Sequence, residues 1–140
     1  MSAALAQPLY TPAILAAATG LAAFPWDEDL PLEGEARSRS CGSTIRLGLA
    51  TDAAGRVARL GLRPHACAVG QAAAHVFATA TRGRDRAEIA AARAAIAAWL
   101  AGEAPLPGWP GIALLEPARA YPARHGAILL PWDAALAALP

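Results

Sequence analysis

Thr44-Ile45-Arg46-Leu47-Gly48-Leu49-Ala50 and Ala58-Arg59-Leu60-Gly61-Leu62-Arg63 share one rhythm, apolar residues alternating with polar residues or glycine. A period of two sends successive side chains to opposite faces, so each run predicts a half-buried strand, with Ile45, Leu47 and Leu49 inward on the first and Ala58, Leu60 and Leu62 inward on the second. The polar connection between them contains Asp52 and Gly55 and suits an antiparallel hairpin. Cys41 stands just before the first strand and Cys67 just after the second, so the hairpin returns both to its open end. With Thr51 opposite Arg56, facing residues have numbers summing to 107, which sets Cys41 level with Ala66 and beside His65 and Cys67. A bulge of one or two residues would shift that register without separating the cysteines.

Upstream, Pro12 fits the first turn of a helix running to Thr19, with Gly20 as its stop. Phe24 to Gly34 reads as irregular, and Glu33 to Arg39 as a weakly signalled strand. Downstream, Val69, Ala73, Val76 and Ala80 recur on one helical face, predicting a helix from just past Cys67 to about Thr81. Asp85 followed by Glu88 is a capping box, and Ile89, Ile96, Trp99 and Leu100 mark the buried side of a helix that ends before Gly102. Prolines at 105, 107, 110, 117 and 122 leave room for only a short helical turn near Ile112 to Leu115. A final helix is expected over Pro131 to Leu139. These elements make an α+β fold, a small three-stranded antiparallel sheet packed by helices, with residues 1–140 forming a single domain.

Composition narrows the function. The 56% apolar fraction is swollen by alanine, and the uncharged stretch from Ala3 to Phe24 is broken by Pro8, Pro12 and Gly20, with no Lys or Arg before it. It predicts neither a membrane span nor a signal peptide. All 12 basic residues are arginine and are balanced by 11 acids, without any block of like charge, which argues against nucleic-acid binding. Two cysteines in a chain with no secretory signal point to the reducing cytoplasm, where such a pair binds metal, does chemistry or is simply buried.

Cys67 opens a helix, where unpaired N–H groups and the macrodipole favour a thiolate, and Gly42 allows the tight turn that exposes Cys41. Two thiolates with one or two imidazoles, from His65 and His125, suit zinc or an iron–sulfur cluster, although the spacing alone does not decide the matter. His75, further along its helix, reads as structural.

Ser40-Cys41-Gly42-Ser43 followed by its strand resembles the first metal-ligand motif of the NifU-like scaffold family, which includes the IscU and SufU proteins. His65-Ala66-Cys67-Ala68-Val69 resembles the second cysteine motif. Pro122-Ala123-Arg124 with Leu130-Pro131-Trp132 is similar to the SufU version of the third, and the long segment before it to the SufU insertion. Leu9-Tyr10 with Ile14-Leu15 resembles the family's opening helix, without its usual Asn-Pro-Arg segment. The resemblance implies a scaffold or sulfur-relay accessory that is not an enzyme in its own right. It works with a cysteine desulfurase and other iron–sulfur assembly factors, and its cofactor is zinc or an iron–sulfur cluster.

The ligand set implied by the resemblance is incomplete. Ser43 stands where the family carries an aspartate, Ala127 where it carries the third cysteine, and Gly126 where IscU proteins carry a histidine. Cys41 and Cys67 remain as ligands, with Ser43, His65 and His125 completing a weak site and Cys41 as sulfur acceptor. Ala120-Tyr121-Pro122-Ala123-Arg124 replaces the chaperone-recognition segment of IscU proteins. Two other readings stay open. One is a degenerate scaffold that binds an assembly partner without metal, through Trp109, Tyr121 and the proline-rich segment; the other is a redox-responsive thiol pair.

Overall fold

A computed structural model describes residues 9–140. Helix α1 (Pro12–Thr19) starts at Thr11, whose hydroxyl accepts the Ile14 N–H at 3.1 Å. Gly20 is not a left-handed stop: it stays right-handed and leads into a 3-10 turn, Gly20–Ala23. Its glycine is needed for space, because a Cβ there would meet the His75 ring 2.5 Å away. His75 thus packs against α1 and edge-on to Phe24, as the structural reading expected.

Strands β1 (Leu32–Arg37), β2 (Thr44–Thr51) and β3 (Val57–His65) form one antiparallel sheet in the order β1-β2-β3. The segment read as irregular up to Gly34 therefore ends earlier, at Leu32. Asp52 organises the β2–β3 turn by accepting the N–H groups of Ala54 and Arg56 at 2.9 and 3.0 Å, and Gly55 takes φ 79°. Thr51 faces Val57 and Ala50 faces Arg59, so Ala58 is the extra residue of a bulge. Val57 takes the inward place expected of Ala58, which is exposed. Thr44 faces His65, and paired numbers in this stretch sum to 109, two more than the unbulged register.

Of helices α2 (Ala68–Ala80), α3 (Arg86–Leu100) and α4 (His125–Ala138), α4 lies across β1 and β2 on the inner face, α2 packs beside it and reaches β3, and α3 packs on α4. The capping box of α3 is formed, with Asp85 accepting the Glu88 N–H at 2.9 Å. Helix α4 begins six residues before the expected start and carries Pro131 in its interior. Pro131 has no N–H to give the Ala127 carbonyl, and neighbouring packing holds the turn instead. The proline-rich segment before it forms a nine-residue 3-10 stretch, Ile112–Ala120, longer than the single turn expected, and then Pro122–Arg124.

Phe77, Trp109 and Trp132 form an aromatic cluster with ring centroids 5.2–5.8 Å apart. Trp109 is buried and donates its indole N–H to the Val76 carbonyl at 3.0 Å, so it packs the proline-rich segment onto the body and does not serve the rival docking reading. On the outer face, Gly48 lies opposite Gly61. A Cβ on Gly61 would meet the Pro25 carbonyl at 2.5 Å and one on Gly48 would touch Leu30, so this glycine pair lets residues 25–30 lie flat on the sheet. Among the described residues no helix is long and apolar enough to cross a membrane. Residues 3–8 of the Ala3 to Phe24 stretch lie outside the described residues.

Candidate functional site

Cys41 occupies the tip of the β1–β2 connection. The Ser38 N–H donates to Ser43 O at 2.8 Å and Gly42 N–H to Ser38 O at 3.1 Å, while Gly42 takes φ 70°, which only glycine adopts without strain. Cys67 caps α2 at the same end of the sheet, half-buried, and its carbonyl accepts the Gln71 N–H at 2.9 Å. The hairpin thus brings both cysteines to one end, as the spacing required, and both are free thiols.

Two serines contact the first of them, and a third braces one of the two. Cys41 Sγ lies 3.2 Å from Ser43 Oγ and 3.4 Å from Ser38 Oγ. These hydroxyls belong to side chains only 5% and 4% exposed, so their position is fixed by packing. Ser38 also contacts Ser40 Oγ at 3.2 Å, and Ser40 donates to the Ala123 carbonyl at 2.8 Å, tying the turn to the start of α4. As a thiol, Cys41 donates to these hydroxyls. As a thiolate it accepts from them, because Ser38 and Ser43 need only rotate their O–H bonds. Partial burial pushes the Cys41 thiol up, but the Ser38 and Ser43 hydroxyls, the Ser43 backbone N–H and the charge of Arg124 outweigh it, and the net shift is downward.

Reactivity follows with a definite sign. A thiol is an acid, so lowering its pKa keeps the nucleophilic anion populated toward neutral pH, and reactivity disappears only as pH falls through the lowered value. In a Cys67→Ser background, the iodoacetamide rate should half-rise at a pH below that of an ordinary thiol. Ser38→Ala and Arg124→Gln should each move that midpoint upward. Unchanged midpoints in both variants would show that the cradle does not set the acidity.

The remaining expected site residues are distributed unevenly. Gly126 abuts the serine cluster so closely that a Cβ there would lie 2.8 Å from Ser38 Oγ. Ser38 therefore fills the space into which a side chain at 126 would grow. Ala127 is fully buried on α4, facing α2 at Gly70, where a Cβ would come 3.5 Å from the Ala127 methyl. The position of the absent third cysteine thus packs against the first turn of the helix that Cys67 caps. His125 opens α4 and donates Nε2–H to the Arg119 carbonyl at 2.9 Å, leaving Nδ1 as its lone pair. His65 ends β3, exposed on the sheet's outer face opposite Thr44.

Sequence reasoning assigned no role to Ser38, Ser40 or Arg124. Its available signal was local: Ser38, Ser40 and Ser43 bracket Cys41 within a six-residue window. Among the described residues, no group of three or more His, Cys, Asp or Glu side chains is placed to hold a metal ion. Two thiols, a neutral hydroxyl at 43 and a methyl at 127 fall short of the four donors of a closed tetrahedral zinc site. A resident metal does not fit this donor set.

A crystal structure of a nitrogen-fixing NifU-like protein (N-terminal) from Brucella abortus superposes with a TM-score of 0.82 and 31% identity, covering 91% of this chain and 90% of that one. The chain belongs to the NifU-like N-terminal family. A second structure shares the fold at a TM-score of 0.82 and 23% identity, over 94% of the NifU-like chain and 97% of its own. It is described as a candidate iron–sulfur cluster assembly scaffold protein for the SUF system, from the thermophile Fervidobacterium islandicum AW-1. No family model matches the NifU-like chain, and no curated protein does.

Proposed function

We propose that this NifU-like chain is an accessory scaffold of iron–sulfur cluster assembly that accepts sulfur on Cys41 from a cysteine desulfurase. The observation that carries the reading is the cradle of Ser38, Ser43 and Arg124 around a single thiol with a lowered pKa. Kinship with a NifU-like protein and the fold shared with a candidate assembly scaffold support the pathway.

The step is a transpersulfidation. Cys41 thiolate attacks the outer sulfur of the desulfurase persulfide; the new S–S bond forms as the old one breaks, and the desulfurase cysteine leaves as thiolate. No net oxidation occurs, since one persulfide replaces another. Zinc or a nascent cluster is cargo in this reading, held by Cys41 and Cys67 with Ser43, His65 or His125 only where a partner supplies further ligands. A cytoplasmic setting, in which thiols stay reduced, suits the chemistry.

Mixing the protein with a desulfurase, cysteine and an alkylating trap should yield a persulfide adduct on Cys41 by mass spectrometry. Cys41→Ser should remove nearly all of it, and Cys67→Ser much less. A labelled protein whose adduct survives Cys41→Ser would refute the assignment. Absence of any adduct alongside tight desulfurase binding would favour the degenerate-scaffold reading.

A further inference from the structure

The outer face of the sheet carries charge that the ion pairs leave over. Cross-strand register places Glu35, Arg46 and Arg63 on one rung and Arg37, Thr44 and His65 on the next, toward the Cys41 turn. Arg46 stands directly opposite Arg63, a like-charge pair that by itself destabilises a sheet. Trp26, laid over the sheet by the glycine pair, holds both guanidinium groups 4.8 Å from its ring centroid. Arg46 is also neutralised by Glu33 at 2.7 Å. Arg63, Arg37 and Arg39 are exposed and have no carboxylate partner among the described residues. Arg39 lies in the turn itself, two residues before Cys41.

We propose that this arginine face, running from Trp26 to the Cys41 turn, docks an acidic segment of the protein that delivers sulfur. The proposal rests on the sulfur-acceptor reading for the partner's task, whereas its preference for carboxylates rests on the charges alone. Arginine forks match carboxylates in pairs, and stacking on an indole orients two of them before any partner arrives. Three strands spaced about 4.8 Å apart give a face roughly 10 Å wide, suited to one extended segment. A nucleic acid or an anionic membrane fits poorly, because Glu33 and Glu35 border the patch and would meet the same phosphates. A protein segment can end or change charge at that border.

Hexaglutamate titrated into isotope-labelled protein at low salt tests the recognition. The Trp26 indole and the Nε–H signals of Arg37, Arg39 and Arg63 should shift, with binding weakened about tenfold or more by raising salt to about 0.3 M. Arg37→Glu with Arg63→Glu should cost at least about tenfold in affinity. Arg63→Glu turns a like-charge pair with Arg46 into an opposite-charge one but gives up the Trp26 stack, so a thermal melt of the double variant separates loss of binding from loss of fold. No shifts, unchanged affinity in the double variant, or tighter binding of oligothymidylate or phosphatidylglycerol vesicles than of the peptide would each overturn the proposal.

Sulfur transfer supplies the second arm. Transfer from the desulfurase to Cys41 should slow about tenfold or more in the double variant, while labelling by glutathione persulfide should be unchanged. Equal slowing with both donors would overturn a docking role. Failure of both donors to label even the parent would sink the sulfur-acceptor reading, and the peptide titration would still decide whether the face takes carboxylates.

Discussion

Trp132→Ala should lower the unfolding free energy by about 3–5 kcal/mol, the range for deleting a large aromatic from a packed core. For a chain of 140 residues this corresponds to a thermal midpoint roughly 10 °C lower. Trp132 is fully buried and meets both Phe77 and Trp109 edge-on, at 5.3 and 5.2 Å between centroids. Its neighbours belong to α2 and to the proline-rich segment, so a cavity there loosens three elements together. Trp132→Phe should cost clearly less, for a specific reason. The Trp132 indole N–H is buried without a hydrogen-bond partner among the described residues, and phenylalanine removes that unpaired donor along with the lost volume. Thermal melts of both variants check the ranking. Equal losses would mean that the indole N–H does have a partner, such as an ordered water.

The placement of α4 by this cluster explains why part of the fold was legible in the sequence and part was not. Strand periodicity, the Asp52 to Gly55 turn and the Asp85 capping box are local signals, and each reports a constraint satisfied within a few residues. Pro131 is also local, but it misleads: a proline reads as the beginning of a helix, whereas here burial of Ile128, Leu130 and Trp132 outweighs one missing hydrogen bond. The bulge at Ala58 was hidden for a related reason. Nothing in the alternation of Ala58, Leu60 and Leu62 says whether Val57 or Ala58 turns inward; the tertiary preference for burying the larger side chain decides it.

The site divides along the same line. Convergence of Cys41 and Cys67 at one end of the hairpin is topology, and topology follows from the strand pattern. The cradle around Cys41 is not topology alone. Ser38 reaches the thiol because the turn closes through its own backbone, and Ser40 anchors that turn to Ala123, 83 residues away. Arg124 acts on Cys41 from the far end of the chain, and no spacing rule connects positions so distant.

Ser43→Asp combined with Ala127→Cys should raise zinc affinity by about a hundredfold or more, measured by competition with a chromogenic chelator, because each change adds an anionic donor to a site short of two. Gly70 presents no Cβ to the Ala127 methyl, and Ser43 already directs its side chain at Cys41 Sγ. Without metal the same variant should be worse than the parent. A carboxylate at a position 5% exposed is costly to bury, and beside Cys41 it opposes the thiolate, so the Cys41 pKa should rise and alkylation at neutral pH should slow. Zinc reverses both effects by neutralising the pair, so the double variant should gain thermal stability on adding zinc while the parent gains little. The serine cradle and a metal site are thus alternative solutions to one problem, stabilising an anionic sulfur: hydroxyls do it while leaving the sulfur free to attack, whereas a metal occupies its lone pair. If the double variant binds zinc no tighter than the parent, the missing aspartate and cysteine are not what limits metal binding here.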